Sequence, residues 1–177
     1  GVSHNSATDD RGALSMVRRY LSYLPLNAWE RPPRQTPASD GKRRLEDLVD
    51  LIPPNPAKAY DARRLAEMLA DVDSFFELQP SFGEAIITAF ARLGGRPVAL
   101  LANQPIVKAG TIDREAAEKA ARFLEISDTF HLPAIFLADN PGIMAGTAAE
   151  GTGTLRSAAR MYAAQARLRS PKLHVTV

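Results

Sequence analysis

Cysteine is absent from the 177 residues, which excludes disulfides and thiolate chemistry and permits a reducing compartment without requiring one. A dominant charge is lacking too: 22 Lys and Arg stand against 20 Asp and Glu, a formal net charge of +2. That balance gives nucleic acid or a membrane surface little support as a partner. The sequence pI of about 9.1 points the other way only because a few groups set the pI near neutrality. No window reaches the roughly 18 apolar residues of a membrane span, and no charged stretch leads into an apolar run as in a secretory signal; a cytoplasmic protein is expected. The three histidines, His4, His131 and His174, are scattered without the spacing of a zinc site. What is present is 45% hydrophobic and 24% charged residues, enough for one globular domain with an appendage.

Residues 1–56 differ from the rest. Leu14, Val17, Leu21 and Leu24 recur at helical spacing, with Asp9 or Asp10 as caps and Pro25 as the stop, so the spacing predicts one amphipathic helix over 13–24. Residues 25–41 are rich in Pro and polar residues without period and read as a linker holding Trp29, which is placed to anchor that arm on a surface. A short piece over 45–51 ends at I-P-P-N-P. The packed part is expected from Tyr60 onward: Asp61 caps a helix with Leu65, Met68, Leu69 and Val72 on one side, and an extended segment follows over 75–78. Residues 85–93 and 96–102 flank Gly94-Gly95 as a tight hairpin.

A different pattern follows. A helix over 113–130, a short apolar strand over 133–138, a glycine-rich loop, a helix over 154–168 and a strand from Lys172 alternate as parallel βαβ units do. The fold class is therefore α/β with a hairpin in front. Glu115, Glu118 and Lys119 read as the solvent side of the first crossover helix, and Arg156, Arg160 and Arg167 as a solvated face of the second. Alanine in both helices permits close approach, either within the chain or between subunits. The initial Gly and the final strand suggest a piece of a longer protein.

The loop L-A-D-N-P-G-I-M-A-G-T-A-A-E-G-T-G, residues 137–153, lies at the carboxyl end of an expected parallel strand, where ligands of α/β proteins sit. A phosphate cradle fails on detail: no Lys-Ser/Thr follows the glycines and no GxGxxG follows the strand. Asp139 reads as a local acceptor in an Asn-Pro turn. No side-chain constellation explains a reaction, which leaves chemistry carried by backbone N–H groups, or glycines that merely make a turn.

G-R-P-V-A-L-L-A-N-Q-P (95–105), A-G-T-I-D (109–113), E-K-A-A-R-F (118–123), D-T-F-H-L-P (128–133), D-N-P-G-I-M-A-G-T (139–147) and S-P-K-L-H-V-T-V (170–177) occur in this order. With L-S-Y-L-P, Y-D-A-R and F-F-E-L-Q upstream, they resemble the C-terminal half of the carboxyltransferase (beta) subunit of biotin-dependent acyl-CoA carboxylases, of the propionyl-CoA and acetyl-CoA carboxylase type. The resemblance implies a crotonase-like fold, here a partial domain. Residues 1–56 would be the interdomain helix and Pro-rich linker, and 57–177 the first part of the C-terminal domain. It also implies transfer of a carboxyl group from carboxybiotin to the α-carbon of an acyl-CoA, with backbone donors stabilising the enolate and the ureido oxygen. The family's D-V-P-G-F loop matches Asp139 to Ile143. By that match the Ile143 N–H is a donor to the biotin ureido oxygen, Gly142 sets its direction, and Pro141, Ile143 and Met144 adjoin the cofactor. Asn140 for Val and Ile143 for an aromatic residue are departures. The implied partners are a biotin carboxylase or biotin carboxyl carrier subunit and further copies of the chain, a dimer forming the site within a hexamer. The family's other donors fall outside these residues, so the chain alone is expected to be inactive. A non-catalytic scaffold module and a crotonase-like hydrolase or isomerase are the alternatives.

Overall fold

A computed structural model describes residues 2–37, 46–55 and 58–177. Its centre is a five-stranded sheet in the order β1 (Phe76–Leu78), β2 (Ile86–Leu93), β3 (Arg96–Asn103), β4 (Ala134–Ala138) and β5 (Lys172–Thr176). The first three strands are antiparallel, with Leu93 opposite Arg96 across the Gly94-Gly95 turn. Both glycines have positive φ, 58° and 76°, as a two-residue hairpin requires. From β3 onward the pairing is parallel.

Parallel neighbours need long crossovers, and helices supply them. Helix α4 (Arg114–Thr129) joins β3 to β4; α5 (Thr147–Thr152) and α6 (Thr154–Arg167) join β4 to β5. Before the sheet come α1 (Asp10–Leu21), α2 (Asp47–Leu51) and α3 (Ala62–Leu69). Asp9, Asp61 and Asp113 cap α1, α3 and α4, each carboxylate accepting a first-turn N–H.

The central strands β2 and β3 bury both faces, whereas β5 is exposed along its length. On β3, Ala99 and Leu101 face α4 with Phe90, Phe123 and Leu124, while Leu100 and Ala102 face α3 with Ile87, Leu65 and Ala66. The alternation is that of a strand with period 2, and each fully buried large side chain contributes about 1.5–3 kcal/mol. The alanines of α4 (116, 117, 120 and 121) are all buried, and α6 packs on α4 through Ala158, Met161 and Ala164. Alanine thus serves close packing inside the chain.

Four expectations change. Leu14, Val17 and Leu21 on α1 are half or more exposed, because α1 docks through other residues: the Tyr23 ring beyond its end is fully buried against Phe90, and the Tyr23 hydroxyl donates to the Ser74 carbonyl at 2.6 Å. Arg92 lies over the Tyr23 ring at 4.2 Å and donates to the Ser22 carbonyl, adding a cation–π contact to that joint. Val72 lies beyond the end of α3 and is exposed. Lys119, expected on the solvent side of α4, is 1% exposed. Trp29 is 92% exposed and does not anchor the arm; the arm is held instead by Ala28 and Gln35, whose backbones bond His131 and Gly95.

Candidate functional site

The parallel strands β3 and β4 end side by side, Ala102 opposite Leu137, and the next residue on β3 is the buried Asn103. Its amide ties three backbone segments together. Nδ2 donates to the Gly110 carbonyl at 3.2 Å, and Oδ1 accepts from the Asp139 N–H at 3.3 Å and from Asn140 Nδ2 at 3.0 Å. A neutral amide with both ends engaged fixes the loop without burying charge.

Beneath the loop runs a left-handed turn, Lys108–Gly110, with φ of 51°, 53° and 72°. Left-handed geometry costs an L-residue about 1–2 kcal/mol, and two of the three residues here are not glycine. The third must be glycine, since a Cβ on Gly110 would stand 2.5 Å from the Asp139 carbonyl oxygen. An ion pair between Lys108 and Asp113 spans the turn. Its carboxylate and charge hold the Lys108 ammonium above its ordinary pKa, the hydrogen bond first and the Coulomb attraction second.

After Asn140 the chain passes through Pro141 and Gly142, then forms a single parallel bridge, Ile112 with Ile143. Ile112 N–H donates to the Gly142 carbonyl at 3.0 Å, and Met144 N–H donates to the Ile112 carbonyl at 2.9 Å. When the residues on either side of a strand position bond to the partner, that position turns its own N–H and C=O the other way. The Ile143 N–H therefore points away from Ile112 and has no partner among the described residues. Gly142 has φ 125°, a conformation L side chains rarely adopt, yet nothing lies within 4 Å of where its Cβ would be. Direction of the chain, not crowding, demands glycine there.

The predicted residues fall into two environments. Pro141 is exposed; Gly142, Ile143 and Met144 are half-buried. Met144 borders a recess of about 530 Å³ shared with Lys108, Asp113, Thr152 and Thr154. Asn140 and Asn103 border another, about 300 Å³, beside Phe136 and His174. The His174 ring stacks on Phe136 with centroids 4.1 Å apart, so it is an exposed strand residue covered on one face. Asp139 faces the Tyr60 phenol, whose pKa is raised by burial first and by the hydrogen bond and charge of Asp139 second. Asp113 is committed to the Lys108 ion pair and to the Ala116 N–H. Among the described residues no group of His, Cys, Asp or Glu could hold a metal, and no helix is long and apolar enough to cross a membrane.

Residues 147–152, expected as loop, form α5, separated from α6 by Gly153 at φ 84°. Two glycines of the quoted stretch thus punctuate helices, and the loop proper is shorter, 139–146. Sequence reasoning missed Asn103 and Gly110. Both lie in the quoted segments 95–105 and 109–113, but a polar residue at a strand end carries no signal of three long-range bonds.

A sheet with parallel β3, β4 and β5, an antiparallel front hairpin and an amide-presenting loop after β4 is that of a crotonase-like α/β domain. The sequence pattern of the carboxyl transferase domain matches residues 1–177, and the chain belongs to that family. It is 41% identical over 171 residues to the uncharacterized carboxylase YngE of Bacillus subtilis, covering 97% of this chain and 33% of that protein. It is 39% identical over 175 residues to the carboxyltransferase subunit of propionyl-CoA carboxylase from Haloferax mediterranei, covering 99% of this chain and 34% of the subunit. Among solved structures, the hexameric transcarboxylase 12S core with hydrolysed methylmalonyl-coenzyme A bound superposes with a TM-score of 0.93 at 34% identity, over 98% of this chain and 34% of that one. The chain spans about one third of the length of these relatives.

Proposed function

We propose that the native-length protein containing this chain transfers a carboxyl group from carboxybiotin to the α-carbon of an acyl-CoA. In this reading residues 1–56 are the interdomain helix and linker, and 57–177 are the first part of the biotin-facing domain. The observation that carries it is the Ile143 N–H, aimed away from the bridge by its two bonded neighbours, in a chain of the carboxyl transferase family.

Biotin on a carrier protein supplies the activated carboxyl group. The residues present fit such a cofactor: an amide without a partner among the described residues, open space over Gly142, and Pro141 and Met144 beside it. Ile143 N–H offers a preorganised donor to the ureido oxygen, where negative charge grows as the carboxyl group leaves. Gly142 sets the angle of that donor, and Asn103 and Gly110 hold the loop against the sheet. A backbone donor does not titrate and is already oriented, so it needs no reorganisation during the reaction. The partners in this reading are a biotin carboxylase with its biotin carboxyl carrier, and further copies of the chain forming dimers within a hexamer; the compartment is the cytoplasm.

The test is to express the native-length gene with its biotinylated partner and follow ¹⁴C-bicarbonate incorporation into acetyl-, propionyl- and longer acyl-CoAs. ATP-dependent incorporation is expected. None, with a folded oligomer and an active partner, would refute the reading.

A further inference from the structure

The opposite end of the parallel sheet carries a second feature. The residues just before or at the starts of β3, β4 and β5 (Arg96, Pro97, Pro133, Ser170 and Pro171) form one wall of a pocket of about 540 Å³. The other wall is the arm that bears Trp29, Arg31, Pro32 and Arg34.

That arm is fixed at both ends. His131 Nε2 meets the Ala28 carbonyl at 2.7 Å, and because a carbonyl only accepts, Nε2 carries the proton. Gln35 N–H donates to the Gly95 carbonyl at 2.9 Å, and a Cβ on Gly95 would stand 1.8 Å from the Gln35 carbonyl oxygen. Between these anchors Trp29 is 92% exposed. Among the described residues the side chains of Arg31, Arg34 and Arg96 make no ion pair or hydrogen bond, and no carboxylate lines the pocket. The recesses beside α4 differ: Lys108 and Arg114 there meet Asp113, Glu115 and Glu118, and Arg160 meets Glu118 and Glu125.

We propose that this pocket binds a nucleoside polyphosphate, its base stacked on Trp29 and its phosphates held by Arg31, Arg34 and Arg96. Guanidinium forks suit phosphate oxygens, and an exposed indole offers a face to a planar base. The volume lies within the range of small-ligand pockets, and prolines on both walls limit the ordering that binding requires. Carboxyl transfer at the other end of the sheet does not use this pocket, so the site is separate from the proposed function.

The experiment is calorimetric titration of the native-length protein with ADP, ATP, inorganic pyrophosphate, adenosine and a poly-glutamate peptide, at 50 and 200 mM salt. ADP and ATP are expected to bind, weakening with salt, with pyrophosphate at least tenfold weaker and adenosine or poly-glutamate undetected at 1 mM. Arg31→Ala with Arg34→Ala should weaken ADP at least tenfold. Trp29→Ala should weaken ADP towards the pyrophosphate value and leave pyrophosphate unchanged. All three sites are exposed, and an unchanged melting curve verifies folding. No nucleotide binding at 1 mM, binding indifferent to the arginines, pyrophosphate as tight as ADP, or poly-glutamate preferred over ADP would each overturn the proposal.

Discussion

Two regions of this domain each bury one conspicuous polar side chain, and they do so in opposite ways. At the carboxyl ends of β3 and β4, Asn103 is neutral and serves three backbone or side-chain partners. Under α4, Lys119 reaches 2.8 Å from the Ile86 carbonyl, its one hydrogen-bond partner among the described residues, and its pKa is lowered to about 8, chiefly by burial. A neutral amide can position a loop at little electrostatic cost. A buried ammonium bonds the first residue of β2 but carries a desolvation penalty that the charges of Glu77 and Glu84 offset only in part. The difference teaches where precision has been placed: the loop end is held by several modest, uncharged bonds, whereas the core under α4 tolerates a buried ammonium.

The sharpest way to break the comparison is at the loop. Gly142→Val forces a β-branched residue into φ 125° and re-aims the Ile143 N–H. The carboxyl transfer proposed for the native-length protein should fall about 100- to 1000-fold, the usual consequence of losing one oxyanion donor. Stability should fall only by the local backbone strain, about 1–3 kcal/mol, because the space around Gly142 is open. Unchanged turnover would remove this loop from the site.

The next effect concerns Lys119. Between its folded pKa of about 8 and its ordinary 10.5, the unfolded chain holds more protons than the folded one, so stability rises with pH across that window. The rise amounts to roughly 3 kcal/mol from this group. Lys119→Met should flatten that rise in urea unfolding measured from pH 7.5 to 10.5. A variant with the same slope as the parent would mean that Lys119 keeps its charge in the folded state.

Asn103→Ala removes bonds to Asp139, Asn140 and Gly110 together. It should cost about 1–3 kcal/mol, since buried backbone groups lose their partner. Turnover should drop more than stability alone explains, read as a fall in kcat with KM nearly constant. A purely structural Asn103 would lower Tm and leave kcat unchanged.

The smallest effect serves as the control. Arg160 pairs with Glu125 across α6 and α4 at 2.9 Å, but both side chains are about half exposed. Arg160→Ala should change stability by less than about 1 kcal/mol, and less still at high salt. A larger loss would mean that the α4 and α6 surface is more ordered than its exposure indicates.

The regular elements were legible because their signals are local. Hydrophobic period, Asp caps and the Gly94-Gly95 turn place α3, α4, β2, β3 and β4 within a few residues of where they lie. The residues of the loop were legible through the Asp139 to Ile143 resemblance. The supporting contacts were not. Lys119 sits next to Glu118 in a run that reads as solvent-facing, and only the packing of α4 on β2 turns it inward. The apolar stripe on α1 reads as a core face, yet Tyr23, two residues beyond its end, carries the docking. Asn103 gives no local sign because its partners lie 7, 36 and 37 residues away.

By itself the sequence determined the α/β class, the alternation of strands and helices, and membership of the carboxyl transferase family, because period, caps and ordered motifs are properties of neighbouring residues. Only the tertiary structure decided which contacts aim the Ile143 amide, which lysine is buried, and that Gln35 and Ala28 pin the arm against Gly95 and His131. Those facts depend on contacts between segments far apart in the chain, and a bond made across 60 or 103 residues leaves no trace in either segment alone.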